Sequence, residues 1–336
     1  MVERNNIRLS NIELLRIVSM MLVLLRHYVL GRESGFSNSV SLFPTIINLE
    51  LKSISIVCTH CFILVSGYFG IKFKIMSLAN LLFQMFFWAI ASILVAIIIT
   101  GDFVFFTSIR SFGNSVVCGW FSKSYLILFM LSPILNSFIQ LVPERKLGKY
   151  IIYFYLLSTI GGYLLGFSDF NEGMSVLSLC GLYLIGAYLR VSKLGIFAWK
   201  SKYDILIYIG LGLMMVVLNL VLLRMGISSS PYGYLNPIVI LMAIYLFLFF
   251  KKIEIKQNQI INFFSASAFS VYLFHYNPFI YGYICKMWTW MNENFGVMSS
   301  LLVAFLSFIA IYLFCVVIDR IRILIYSRCI DRCLPN

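Results

Sequence analysis

Glu13, Arg16, Arg26 and His27 all stand within one apolar stretch close to the N-terminus. An ionisable group at bilayer depth is costly, and it is a functional hypothesis by default. Arg16 and His27 are eleven residues apart. That is close to three full helical turns, so on a helix they share one face with about 16 Å between them. Glu13 precedes Arg16 by three residues, the spacing of an ion pair that would hold the guanidinium in place. A cation at one end of such a face can bind phosphate, and a neutral imidazole deeper along it can take a proton from a hydroxyl. The bland alternative has Arg16 snorkelling to lipid headgroups and His27 bonded to a backbone carbonyl. Spacing alone leaves both open.

The only other histidines are His60 and His275. Counted along their helices at 1.5 Å per residue, all three histidines fall at a similar depth. For His60 and His275 a structural role is as compatible with the pattern as a catalytic one. Ser66-Gly67-Tyr68 closes the second apolar run, and a small-small-aromatic step lets a backbone approach either a ligand or another helix. Trp120, Lys123 and Tyr125 open the fourth run. Trp and Tyr suit a membrane interface there, whereas a lysine within a span is unusual. Cys58-Thr59-His60-Cys61 has CxxC spacing, but no second ligand pair accompanies it, so no metal site is expected.

The elements that must position these residues are membrane helices. Of 336 residues, 61% are hydrophobic and 12% charged, where a soluble domain carries about 25% charged. Apolar runs long enough to cross a bilayer recur at about 10–30, 51–71, 77–99, 115–141, 148–167, 174–191, 203–223, 234–250, 260–284 and 297–325. The expected fold is all-α, a polytopic membrane helical bundle of about ten transmembrane helices. Residues 1–336 would form a single transmembrane domain with no extramembrane domain. Met1 to Asn11 is polar and basic, and the run that follows ends without a small-residue cleavage site; it reads as a retained first span.

The net charge of +13 is spread in short clusters between the apolar runs, which argues against a nucleic-acid face. With the N-terminus inside, the cytoplasmic side holds 18 of the 26 basic residues. They include Arg4, Arg8, Lys72, Lys74, Lys193, Arg320, Arg322 and Arg332. The opposite side holds five: Arg32, Lys52, Arg110, Arg224 and Lys286. This bias places both termini in the cytoplasm.

Five segments, in order, then resemble the acyltransferase family 3 membrane proteins, which O-acylate cell-surface glycans. Asn11-Ile12-Glu13-Leu14-Leu15-Arg16 through His27 looks like that family's N-terminal motif, an Arg and a His with ten residues between them. Phe62 to Phe69 is similar to its second-span SGF/SGY motif, and Trp120-Phe121 with Pro133 to its WF/WY…P segment. Gly181 to Tyr188 resembles its sixth-span glycine-aromatic step, and Ser270-Val271-Tyr272-Leu273-Phe274-His275 its late S-x-Y-L-x-H motif. The Arg…His pair is the most specific of these and the glycine-aromatic step the least. No C-terminal extracytoplasmic hydrolase-like domain of the kind larger relatives carry is expected.

The resemblance implies acetyl-CoA as acyl donor, without a metal, and a glycan or lipid-linked glycan as acceptor. It implies a multi-pass protein of the bacterial plasma membrane, and it leaves a homodimer open. Arg16 would meet the phosphates of the donor, whose pantetheine arm would pass Ser66, Gly67 and Tyr68. His27 would be the general base, with Glu13 orienting Arg16 and His275 as second base or orienting partner. His60, Trp120 and Lys123 would meet the acceptor, and Tyr28, Tyr68 or Trp120 would stack on a sugar ring or the donor. An acyl-His27 intermediate is the variant mechanism. The competing classes are a transporter or flippase of lipid-linked sugars, for which no inverted repeat or paired broken helices are evident, and a non-enzymatic scaffold.

Overall fold

A computed structural model describes residues 9–33, 42–101, 109–192, 195–227 and 231–329. Arg4, Arg8, Lys193 and Arg332, used above for orientation, lie outside them. Among the described residues the chain is helical throughout, with no strand. The first half comprises α1 (Ser10–Glu33), α2 (Leu42–Ser55), α3 (Cys58–Phe69), α4 (Ile75–Thr100), α5 (Ile109–Val117), α6 (Gly119–Leu141) and α7 (Glu144–Leu157). The second comprises α8 (Val176–Val191), α9 (Ser201–Arg224), α10 (Pro237–Lys252), α11 (Gln259–Ser265), α12 (Ala268–His275), α13 (Tyr281–Asn294) and α14 (Val297–Cys329).

Among the described residues five segments are long and apolar enough to cross a membrane: Pro44–Phe69, Ile75–Thr100, Gly119–Leu141, Ser201–Arg224 and Val297–Arg328. Their outward faces carry exposed apolar side chains such as Leu94 and Ile98 on α4, Ile134 on α6, Val217 on α9 and Leu302 and Val317 on α14. A patch of that extent would be a liability in water and is the expected contact with lipid. The protein is therefore a helical membrane protein. Helix α1 is not among the five, since it carries Glu13, Arg16 and Arg26. It lies instead at the centre, packed against α2, α3, α10, α11, α12, α13 and α14.

Breaks within four of the apolar runs position the site. The second run turns at Ile56 and Val57 between α2 and α3. The fourth breaks at Cys118, whose φ of 32° is unusual for a side-chain-bearing residue. Gly119 follows at φ 73°, where a Cβ would stand 2.6 Å from the Tyr276 ring. The fifth widens into a π-helix over Ser158–Leu164, and the ninth is three helices. Asn277 and Pro278 interrupt the ninth: Pro cannot donate, and the buried Asn277 side chain accepts from Phe279 N at 3.1 Å and pairs with Ser115. Arg320 and Arg322, counted above with the basic loops, lie within α14.

The basic ends gather at one end of the bundle. Asn11 donates to the carbonyls of Lys251 and Ile253, each at 3.2 Å. Lys252 pairs with the buried Asp204 at 2.7 Å, and Lys72 and Arg190 border one surface cavity.

Helices α3 and α8 meet through glycine. A Cβ on Gly67 would collide with the Tyr183 carbonyl, and one on Gly186 with the Leu64 carbonyl. Both clashes are with backbone, which cannot turn aside as a side chain can. Small residues at such crossings let membrane helices approach closely. Gly186→Val is therefore expected to cost at least about 1–3 kcal/mol, as overpacking does. The check is a lower melting temperature of the detergent-purified protein; an unchanged one would show that α3 and α8 are not packed in this register.

Candidate active site

Helix α1 presents Arg16, Met20, Val23 and His27 at spacings of four, three and four residues, which align on one face. At its lower end Glu13 is buried and bonds Arg16 Nη1 at 3.2 Å. The Ser265 hydroxyl at the end of α11 also donates to Glu13. The carboxylate is thus spoken for on both oxygens, and it fixes the guanidinium from the first turn of α1.

Arg16 borders a cavity of about 260 Å³ with Ser66, Gln84, Tyr125 and Ser265. Gln84 and Ala266 are shared with a second cavity of about 500 Å³, which opens between α4 and α14 beside Asn80 and Arg322. In the other direction Phe62, Phe121 and Phe269 are shared with a throat of only about 10 Å³. Met20, Val23, Thr59 and Tyr272 complete that throat. A mixed vestibule, a mixed chamber and an apolar constriction therefore adjoin in turn, the last two along the Arg16–Met20–Val23 face of α1, on which His27 stands one turn further.

His27 meets His275 there, Nδ1 to Nε2 at 2.8 Å. The other nitrogen of His275, Nδ1, stands 2.7 Å from the Val271 carbonyl. A carbonyl oxygen only accepts, so His275 Nδ1 carries the proton and donates it. Its Nε2 is then a lone pair, which receives the proton of His27 Nδ1. The tautomer of His27 follows: Nε2 is the unprotonated nitrogen, and it has no bonding partner among the described residues. His275 is fully buried. Tyr276 stacks on the His27 ring at 4.5 Å between centroids and 7° between planes, and Tyr281 meets it edge-on. The ring is held on two sides with one nitrogen free.

The remaining expected site residues are dispersed. His60 is buried but bonds the Tyr234 carbonyl through Nε2 at 2.9 Å; similar depth did not mean contact with the other two histidines. Gly67 faces α8, and Tyr68 packs on Phe247 of α10 with Lys251 over its ring. Of the three residues expected along the donor arm, only Ser66 borders the chamber. Lys123 is exposed, since Phe121 and Tyr125 turn inward and the residue midway between them points away. Trp120 lies against Phe121 and Tyr234. Tyr28 is a core residue, bonded to Asn292 and edge-on to Trp288.

Four residues near the dyad were given no role in the sequence reading. Tyr276 is an ordinary aromatic in an apolar run, which nothing marked, and Tyr272 stands in the late motif with no role attached to it. Arg26 and Asp319 carried the same signal as Arg16, a charge within an apolar helix.

A family model described as an acyltransferase domain matches residues 9–320. No curated protein and no solved structure matches the chain.

Proposed function

Since the chain belongs to the acyltransferase 3 family of membrane acyltransferases, we propose that it is an O-acetyltransferase that moves acetyl from cytoplasmic acetyl-CoA to a hydroxyl of a cell-surface polysaccharide or its lipid-linked precursor. The observation that carries this reading is the unpartnered Nε2 of His27, one turn beyond Val23 on the α1 face whose Arg16, Met20 and Val23 line the chamber and throat.

The vestibule beside Arg322 and Asn80 suits a nucleotide, Arg16 suits a phosphate, and the apolar throat suits an extended thioester arm. The basic end faces the cytoplasm in this reading, in agreement with the positive-inside rule. The chain crosses a bacterial plasma membrane ten times, with α2–α3, α5–α6, α7 with its π-helical turn, and α11–α13 each counted as one interrupted crossing. Residues 1–336 then form one membrane domain.

In the reaction, the acceptor hydroxyl gives its proton to His27 Nε2 as its oxygen bonds the acyl carbon. The imidazolium so formed is stabilised through its Nδ1–H by His275, which keeps its own proton on the Val271 carbonyl. Collapse of the tetrahedral species breaks the C–S bond, and His27 returns the proton to the departing thiolate. General-base help of this kind contributes about 10²–10⁴ in rate. Direct transfer requires both substrates together and gives sequential kinetics, whereas an acyl-His27 route gives ping-pong kinetics.

The transporter reading gains one observation, the broken helices α5–α6 and α11–α13, since transporters often bind at such breaks. One assay separates the two. Detergent-purified protein with acetyl-CoA and a crude glycan extract is expected to release CoA thiol and to label carbohydrate with acetyl. No thiol release with any glycan fraction would refute the acyltransferase proposal.

A further inference from the structure

Arg26 is 7% exposed, and two of its guanidinium nitrogens, Nε and Nη1, have no hydrogen-bond partner. Among the described residues no carboxylate pairs with it. Buried charges are ordinarily paired, because leaving water uncompensated is costly. Glu13 with Arg16, Asp204 with Lys252 and Asp319 with Arg322 obey that rule. Arg26 is the exception, and it directly precedes His27.

Its place beside the throat follows from helix spacing. Val23 lines the throat; Arg26 and His27 are three and four residues beyond it, the two neighbours of Val23 on the next turn. On α3, Thr59 lines the same throat and Cys58 beside it lies within the field of Arg26. The upper end of the throat is thus flanked by the His27 ring, bonded to α12 through Nδ1 with Nε2 free, and by an unpaired guanidinium toward α3. The Tyr234 hydroxyl lies beside Arg26, and its residue is secured by the His60 bond and by Trp120.

Resting on the acyl-transfer reading, we propose that Arg26 is a catalytic residue whose guanidinium receives the oxyanion formed when the acceptor attacks the thioester. As the acceptor oxygen bonds the acyl carbon and its proton passes to His27, the carbonyl π pair moves onto oxygen. The unspent N–H groups of Arg26 accept that charge. When the C=O bond re-forms, the C–S pair leaves with sulfur, which recovers the proton from His27. Donors aimed at charge that exists only in the transition state raise turnover more than binding. His60 and Trp120 become positioning residues acting through Tyr234.

The test compares wild type, Arg26→Met and Arg26→Lys in detergent. It reads thiol release from acetyl-CoA with a glycan extract titrated as total carbohydrate, alongside melting temperature. Arg26→Met is expected to lower kcat by about 10²–10³ with little change in either KM. It is also expected to melt no lower than wild type, because an uncompensated buried charge has been removed. Arg26→Lys is expected to keep more turnover than Arg26→Met. Unchanged kcat in Arg26→Met overturns the proposal. So does a raised acceptor KM at unchanged kcat, which would make Arg26 the holder of an acidic group on the acceptor. Joint loss of activity and melting temperature in both variants would mark a structural residue. If wild type itself releases no thiol, the acyl-transfer reading fails first and takes this inference with it.

Discussion

His27→Ala is expected to lower turnover by about 10²–10⁴, the usual contribution of a positioned general base, while the protein stays folded. The side chain is only half-buried and its one hydrogen bond is to His275, so the loss of its contacts with Tyr276 and Tyr281 leaves the bundle standing. His275→Phe should cost less, because His27 remains. What it loses is the acceptor that keeps the proton on Nδ1, so a fraction of His27 then carries its proton on Nε2 and cannot act as base. The double variant should be hardly worse than His27→Ala alone, since groups that act as one unit are strongly non-additive. The measurement is kcat for thiol release across the four proteins. Full turnover by His27→Ala would remove it from the chemistry and leave His275 Nε2 as the exposed base. Additive losses would mean that the two imidazoles work separately.

How much of this was legible beforehand depends on what kind of signal each residue gives. Membrane class and helical fold follow from composition, because bilayer thickness sets a run length that the sequence displays openly. The Glu13–Arg16 pair also follows, since a spacing of three on a helix fixes proximity without tertiary information. The His27–His275 contact does not. It joins residues 248 apart, and it depends on α12 ending at His275, which in turn depends on the Asn277–Pro278 interruption. Gly67 left two readings open: small residues serve ligands and helices alike, and the Tyr183 carbonyl opposite shows a helix contact there. The exposure of Lys123 has a local reason that was readable, because it stands between two inward aromatics. Asp319 was obscured by its neighbours, Arg320 and Arg322, which made a helix interior look like a basic loop.

Asp319→Ala is expected to be the most destabilising single change, by about 3–5 kcal/mol, the cost of removing one partner of a buried ion pair. Asp319 is fully buried and accepts from Arg322 Nε at 2.6 Å, Ser270 Oγ at 2.7 Å and Ser267 Oγ at 2.9 Å. Arg322 is itself 5% exposed, and Asn80 at 3.0 Å offers a dipole where a charge is needed. The consequence reaches the site through α12. Ser267 and Ser270 anchor its first turn to α14, and His275 stands at its end, so the carboxylate sets the height at which the dyad forms. Asp319→Asn should therefore melt less severely than Asp319→Ala, yet lower kcat with little effect on the donor KM. Asp319→Ala combined with Arg322→Leu should recover part of the lost melting temperature, because the orphaned cation is gone, but not the turnover, because α12 is still unanchored. Thermal melts and kcat on the same preparations decide it. Recovery of both together would separate the ion pair from His275 and confine its role to stability, whereas recovery of melting alone would tie the position of the base to a carboxylate on α14.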